Sequence, residues 1–409
     1  MHARRAAVSS ALLLLFAALS VLTLLPRAPS PPPRPFLRSR ADGGRCDYSD
    51  GAWVRDAAAA PTAYGEDCPF LDPGFQCARN GRGDSSFRHW RWQPRGCDLP
   101  RFDAREMLER SRNGRIVFAG DSIGRNQWES MVCMLASAVP SGAGRIYERS
   151  GKPISRHKGY LAMVFADYNF SVEYYRAPML VMIDRFPSSS RASGGGGSGA
   201  AKVRGAVRLD VLPRHADRWA GADVLVLNTG HWWNEHKTIK AGNYFMVGKR
   251  LNVTTDIKEA FRLSLQTVRR WELSARLPKS YLFFRSYSPS HYSNGTWDSG
   301  GSCAAQQEPR TATGGEQLSE EEYSWMNAAI SSAMRGVRSE GRRNARFLNI
   351  TYMTELRRDG HPSRHREPGT PPGAPEDCSH WCLPGVPDAW NQVLYAHLLS
   401  MGYAARAKH

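Results

Sequence analysis

Short apolar runs alternate with stretches of helical spacing through most of this 409-residue chain. RIVFA occupies 115–119, and helical spacing follows to about Leu135. ADVLVL at 222–227 precedes a helical stretch over 256–274. SYLFF at 280–284 precedes another over 318–337, which opens with the capping-box order Ser319-x-x-Glu322. A last strand is expected at 345–350. Runs with no polar face suit strands buried on both sides. The alternation predicts an α/β fold, a parallel sheet sandwiched by helices. Sites in such sheets form at the carboxyl ends of strands, so chemistry is sought there.

The start of the chain sets the compartment. Residues 6–25, AAVSSALLLLFAALSVLTLL, carry no charge. As a helix they span about 30 Å, the hydrocarbon thickness. Arg4 and Arg5 precede the run and favour a cytoplasmic tail at 1–5, although Arg27 weakens the asymmetry. The run ends in Leu-Leu-Pro-Arg, without a small-x-small cleavage site, so a signal anchor is expected over a cleaved signal peptide. Either sends the remainder to the lumen. Residues 26–45 hold six prolines and read as an extended stem. The eight cysteines contain no CxxC pair, so disulfides are expected over zinc ligation or buried thiols. Sequons at Asn169, Asn252, Asn294 and Asn349 are glycan candidates.

The formal charge of +17 invites an anionic partner. Residues 1–45 hold seven basic groups and one acid, leaving +11 of that charge on the lumenal part. A lumenal protein meets no genome, so nucleic acid is excluded. Membrane headgroups or an anionic glycan remain as the anionic partner.

Residues 46–104 are rich in Cys, Trp, Pro and Gly and read as a stapled subdomain of short strands. Trp53, Trp90 and Trp92 are packing residues there, or alternatively sugar-stacking platforms. Residues 105–409 form the body of the molecule. Within it, 187–200 is a Gly/Ser insertion and 359–376 a Pro/Gly-rich surface loop.

Four motifs carry candidate chemistry, three of them directly after expected strands. Gly120-Asp121-Ser122 places a serine on a strand-to-helix turn, where amides can hold an oxyanion. The same Asp-Ser pair also reads as a plain N-cap. Asp377-Cys378-Ser379-His380 offers a base with an orienting acid, or a locally bonded loop histidine. In Asn228-Thr229-Gly230-His231-Trp232-Trp233, the turn offers amide donors, the indoles could wall a sugar or acetyl group, and His231 is a rival base. Arg285 and His291, in the segment after 280–284, are substrate-contact or structural candidates.

GDSIGRNQWESMVCML, NTGHWW, FFRSYSPSHYSNGTWDSGGSC and DCSHWCLPGVPDAWN occur in that order. Together with CDYSDGAWVRD through WRWQPRGCDLPRFDA, they resemble the plant trichome birefringence-like family from about Cys46 to Tyr403. The resemblance implies Golgi type II membrane enzymes that O-acetylate wall polysaccharides on an SGNH/GDSL-esterase-like fold. It implies Ser122 as nucleophile, with Asp377 and His380 completing a triad and Arg125 and Asn126 in support. The Ser122 N–H and donors near Asn228 and Gly230 are expected to hold the oxyanion. The implied disulfides are Cys46–Cys97, Cys68–Cys133, Cys77–Cys382 and Cys303–Cys378. No metal or tightly bound cofactor is expected. The acetyl donor, acetyl-CoA or a relayed acetyl group, enters as substrate, with a membrane acetyl-supply protein as partner. Xylan is the first expectation for acceptor, with pectin, xyloglucan or mannan as alternatives. An acetylesterase and a non-catalytic wall-polymer binder are the rival functions.

Overall fold

The computed structural model describes residues 46–56, 64–142, 144–151, 154, 159–186, 203–274, 280–310 and 321–405. The expected tail, anchor, stem and Gly/Ser insertion, and the Ser319 cap, lie outside them. Among the described residues no helix is long and apolar enough to cross a membrane.

The elements run β1 (Gly51–Arg55), β2 (Trp90–Pro94), α1 (Ala104–Arg110), β3 (Arg115–Gly120), α2 (Ser122–Ala136), β4 (Ile146–Glu148), β5 (Tyr160–Phe165), β6 (Phe170–Arg176), β7 (Met182–Arg185), β8 (Gly205–Arg208), β9 (Val224–Leu227), β10 (Asn243–Val247), β11 (Arg250–Leu251), α3 (Ile257–Leu273), β12 (Tyr281–Arg285), α4 (Glu321–Ser339), β13 (Ala345–Leu348), α5 (Thr351–Glu355) and α6 (Val386–Ser400). The central sheet has seven strands in the order β13-β12-β9-β3-β6-β5-β4. From β13 to β6 every pairing is parallel, and β5 and β4 add an antiparallel edge.

Strand alternation divides the core in two. Ile116, Phe118, Val224, Val226 and Phe283 face α2 and α6, meeting Trp128, Met131, Trp390 and Leu394. Val117, Ala119, Leu225, Leu227, Leu282 and Phe284 face α3 and α4, meeting Phe261, Leu265, Ile330 and Met334. Each large side chain so buried contributes roughly 1.5–3 kcal/mol. Asp256 starts α3 by accepting the Lys258 N–H at 2.8 Å.

Three features depart from the sequence pattern. The run forming β6 is interrupted by Glu173, which is fully buried. Its carboxylate takes Arg115 at 2.8 and 3.0 Å and the Ser171 and Tyr175 hydroxyls at 2.9 Å each. A paired carboxylate thus occupies a core strand that composition alone disfavours. A second sheet, β11-β10-β8-β7, joins short strands, and the Gly/Ser stretch lies between the antiparallel β7 and β8. Nearly all of α6 is buried around its circumference, so it shows no single apolar stripe.

In the front segment, β1 pairs antiparallel with β2. Trp92 is buried and donates to the Tyr48 carbonyl at 2.8 Å, and Trp53 donates to the Met353 carbonyl at 2.6 Å. The Trp53 bond ties the segment to the body, and Trp92 packs into the body's core beside Tyr352. Disulfides join Cys46 to Cys97, Cys68 to Cys133, Cys77 to Cys382 and Cys303 to Cys378, leaving no cysteine unpaired. Two of the four tie the front segment to the body, at α2 and at the loop before α6.

Candidate active site

β3 ends at Gly120, and α2 begins at Ser122. Asp121 is the N-cap, its Oδ1 accepting Ile123 N–H at 3.0 Å and Gly124 N–H at 3.4 Å. The cap and the exposed serine are therefore two functions of one turn. A Cβ on Gly120 or Gly124 would lie 2.0 Å from the Asn228 Oδ1, so the turn closes only with glycine at both positions. Asn228 donates its Nδ2 to Asp121 Oδ1 at 2.6 Å. Burial opposes charge on Asp121, but His231, Arg285 and the Asn228 bond outweigh it, and the carboxyl stays well below the usual carboxylate range.

Ser122 Oγ lies 2.8 Å from His380 Nε2. His380 Nδ1 lies 2.8 Å from Asp377 Oδ2 and 3.1 Å from Oδ1. Asp377 Oδ1 also accepts the His380 and Ser379 N–H groups at 3.0 and 3.2 Å. Burial works against the Asp377 charge, yet the His380 imidazole and these bonds hold the carboxyl well below its ordinary range. For His380, burial favours the neutral ring but Asp377 prevails, so its pKa is raised above 6.5. Among the described residues the N–H groups of Ser122 and Gly230 have no acceptor. Gly230 is pressed against the Tyr287 ring, where a Cβ would approach to 2.5 Å.

Asn126 and Arg125 fasten this arrangement from α2. Asn126 accepts the Trp381 N–H at 2.8 Å and donates to the Trp381 carbonyl at 3.1 Å, locking the residue after His380. Arg125 is buried, donating to Glu129 at 2.7 Å and Asp72 at 3.0 Å. Burial, with Asp72 adding to it against Arg125, pushes the Glu129 carboxyl up to about 7. Asp72 caps a short turn at Pro73–Phe75, and the Phe75 ring lies 5.6 Å from the His380 ring. The front segment thus supplies a wall of the site, which no local motif signals.

Other expected contacts are placed differently. Arg285 is buried, donating to the Ile123 carbonyl at 3.2 Å and Gln127 at 3.3 Å, with Trp390 beneath it. Trp233 is buried against Phe245 and Phe261, its Nε1 on Thr229. Both side chains are thus buried in the packing of the body rather than presented at its surface. His231 stacks on Tyr287 at 4.5 Å and faces Asp121 at 3.7 Å, whereas Ser122 bonds His380. His291 sits behind the Asp377–His380 loop, its N–H on the Cys378 carbonyl at 3.0 Å. Its Nδ1 lies 2.7 Å from His361 Nε2, and His361 Nδ1 donates to the His380 carbonyl at 2.6 Å. A carbonyl only accepts, so His361 Nε2 is the acceptor from His291. Burial and the neighbouring His291 hold His361 well below its ordinary pKa, keeping it neutral. His361 lies in the stretch expected to run over the surface. Its start is instead buried, because it passes beneath Trp381, 4.0 Å from that ring. Of the four sequons, Asn169, Asn252 and Asn294 are exposed on turns, while Asn349 is half-buried and its Thr351 buried.

Cys303, Glu376 and Cys378 are the one group among the described residues spaced for a metal. Its sulfurs form a disulfide, and Glu376 accepts Cys303 N–H, Ser302 and Ser363 at 2.7–3.0 Å, so the group is structural.

A serine, a histidine and an aspartate in this geometry match acyl-transfer chemistry. Residues 99–397 match a GDSL/SGNH-like acyl-esterase family found in Pmr5 and Cas1p, and residues 44–98 match the PMR5 N-terminal domain. The chain is 52% identical over 367 residues to Protein trichome birefringence-like 9 of Arabidopsis thaliana, covering 88% of this chain and 85% of that protein. This chain belongs to the trichome birefringence-like family. Protein trichome birefringence-like 6 of Arabidopsis thaliana is 40% identical over 360 residues, 87% of this chain and 70% of that protein. The family member is also 34% identical over 412 residues to Xylan O-acetyltransferase 14 of Oryza sativa subsp. japonica, 92% of this chain and 82% of that protein.

Proposed function

We propose that this family member is a Golgi polysaccharide O-acetyltransferase, anchored by residues 6–25 with its catalytic body in the lumen. The observation that carries the reading is the hydrogen-bonded chain from Ser122 through His380 to Asp377, at the carboxyl end of the sheet. Xylan is the proposed acceptor, supported by relatives named for xylan acetylation.

In this mechanism His380 Nε2 takes the Ser122 hydroxyl proton as Oγ attacks the acetyl carbonyl of the donor. The N–H groups of Ser122 and Gly230 hold the developing oxyanion, at the helix start where the backbone dipole also favours negative charge. The donor's leaving group departs with the proton from His380, and acetyl-Ser122 remains. A sugar hydroxyl then gives its proton to His380 and attacks the acetyl carbon. The ester forms on the glycan, and His380 returns the proton to Ser122. Asp377 stays ionised throughout and stabilises the imidazolium. The donor is acetyl-CoA or an acetyl group relayed across the membrane. No tightly bound cofactor enters this scheme.

Full-length protein incubated with a labelled acetyl donor and unacetylated oligosaccharides of xylan, pectin, xyloglucan and mannan tests the proposal. Acetylated xylan oligosaccharide, detected by mass, is the expected product. Free acetate with no acetylated glycan assigns the same triad to an esterase, the alternative that the esterase-like family description favours.

A further inference from the structure

Trp297 is 43% exposed, the one tryptophan among the exposed large apolar side chains of the described residues. What sets this indole apart is the cation and second indole beside it. Lys237 Nζ lies 5.2 Å from its ring centre and 5.6 Å from that of the half-buried Trp232, so a single ammonium bridges two indoles. Arg176 stands over the same Trp232 ring at 5.0 Å. Lys237 and Arg176 are both exposed, and no carboxylate of the described residues pairs with either. The nearby acids have other partners. Glu235 pairs with Lys240 at 2.8 Å, and Asp298 accepts Thr296 at 2.6 Å and faces His236 at 3.3 Å.

Each part of this surface is mounted on a neighbour of the triad. Arg176 is the β-partner of Gly120, with the Ala177 N–H bonded to the Gly120 carbonyl at 2.7 Å. Trp232 follows His231, which faces the Asp121 cap of the nucleophile turn at 3.7 Å. Trp297 lies in a loop closed by the Ser293–Ser302 bridge, in which Gly295 and Gly301 pack too closely for a Cβ on either. The Cys303–Cys378 disulfide and the Ser302 and Cys303 bonds to Glu376 fix that loop beside Asp377.

We infer that Trp232, Trp297, Lys237 and Arg176 form an acceptor subsite that takes a sugar residue bearing a uronic-acid carboxylate. The indoles offer apolar faces to the C–H face of a sugar ring, and the two cations pair with its carboxylate. The subsite deepens the acetyl-transfer proposal and rests on it for the identity of the polymer, while its test reads binding alone.

The test uses full-length Ser122→Ala protein, which cannot turn over. Two probes are titrated by calorimetry, xylopentaose carrying one glucuronosyl group and unsubstituted xylopentaose. The acidic probe is expected to bind about tenfold tighter at low salt, with the advantage lost at about 0.5 M NaCl. Trp297→Ala lowers affinity for both probes by about tenfold, and Trp297→Phe restores part of it. Lys237→Met removes only the preference for the acidic probe. Equal binding of the two probes at low salt overturns the inference, as does unchanged binding by Trp297→Ala and Lys237→Met with native melting temperatures. Should the wild type transfer no acetyl while these binding differences hold, the reaction proposal falls and the subsite stands.

Discussion

The two halves of the catalytic arrangement are built by different means. Ser122 stands on a turn between a fully paired strand and a 15-residue helix, so regular backbone bonds and close glycine packing set its place. His380 and Asp377 lie in a loop with no regular structure of its own. Cys77–Cys382 and Cys303–Cys378 bracket that loop, and Asn126 and His361 hold its backbone. One half is specified by local sequence and sheet. The other depends on covalent and side-chain clamps from distant segments, so it is the half that gives way when a clamp is lost.

Removing the chemistry without disturbing either half has the largest expected effect. Ser122→Ala lowers acetyl transfer on the order of 10⁴-fold or more. Intact-protein mass spectrometry then finds no acetyl adduct, and the melting temperature is unchanged because Ser122 is exposed.

Asp377→Asn lowers kcat by about 10⁴ through loss of the oriented imidazole. It also moves the pH profile. His380 acts as base only when neutral, and its pKa is raised, so the wild-type acid limb lies above pH 6.5 and the variant's falls below the wild type's. The sign for stability follows from the same pair. The raised His380 pKa contributes stability fully present below pH 6.5 and lost as pH rises through the folded value. The depressed Asp377 pKa contributes stability present above 3.8 and lost as pH falls. Chemical denaturation across pH therefore finds the variant most destabilised, relative to wild type, between those limits.

The contrast itself is tested by replacing Cys303 and Cys378 together with alanine. Activity is expected to fall about 10–100-fold, from loss of positioning beside Asp377. Global stability falls by about 2–4 kcal/mol in denaturant titration. A loss of stability with wild-type kcat in the surviving folded fraction means that the loop positions itself without its staple.

Gly124→Ala strikes the other half. The new Cβ meets Asn228 Oδ1 at 2.0 Å, costing about 1–3 kcal/mol by calorimetry. The cost shrinks in an Asn228→Ala background, and a double-mutant cycle measures the coupling. The smallest effect is expected from His361→Asn, a several-fold fall in kcat with KM unchanged, since His361 meets the triad only through the His380 carbonyl, its other side-chain contacts being His291 and Trp381.

What was legible in the chain follows the same division. The strand forming β3, its turn and α2 were readable because the apolar run, the Asp-Ser cap and the helical spacing are local signals. So were β9, α3, β12 and β13, to within a few residues. β6 was not, since Glu173 breaks its apolar pattern and Arg115 compensates from another strand. The short strands of the second sheet and the fully buried α6 lack a clear period of their own. Arg285, Trp233 and His291 looked like substrate contacts because they follow strands, a position that says nothing about which way a side chain turns. Phe75 and His361 carried no motif at all.

The alternation of apolar runs and helical stretches determined the sheet class, and the order of motifs determined the family and the residues worth testing as nucleophile, acid and base. Those properties depend on residue type and on spacing along the chain. Only the tertiary structure decided which histidine meets Ser122, because Asn126 and Trp381 are 255 positions apart and no local rule joins them. It also turned Arg285 inward, brought Phe75 to the His380 ring and set one lysine between Trp232 and Trp297. Side-chain direction and contacts between remote segments follow from how the core packs, and that is a property of the whole fold.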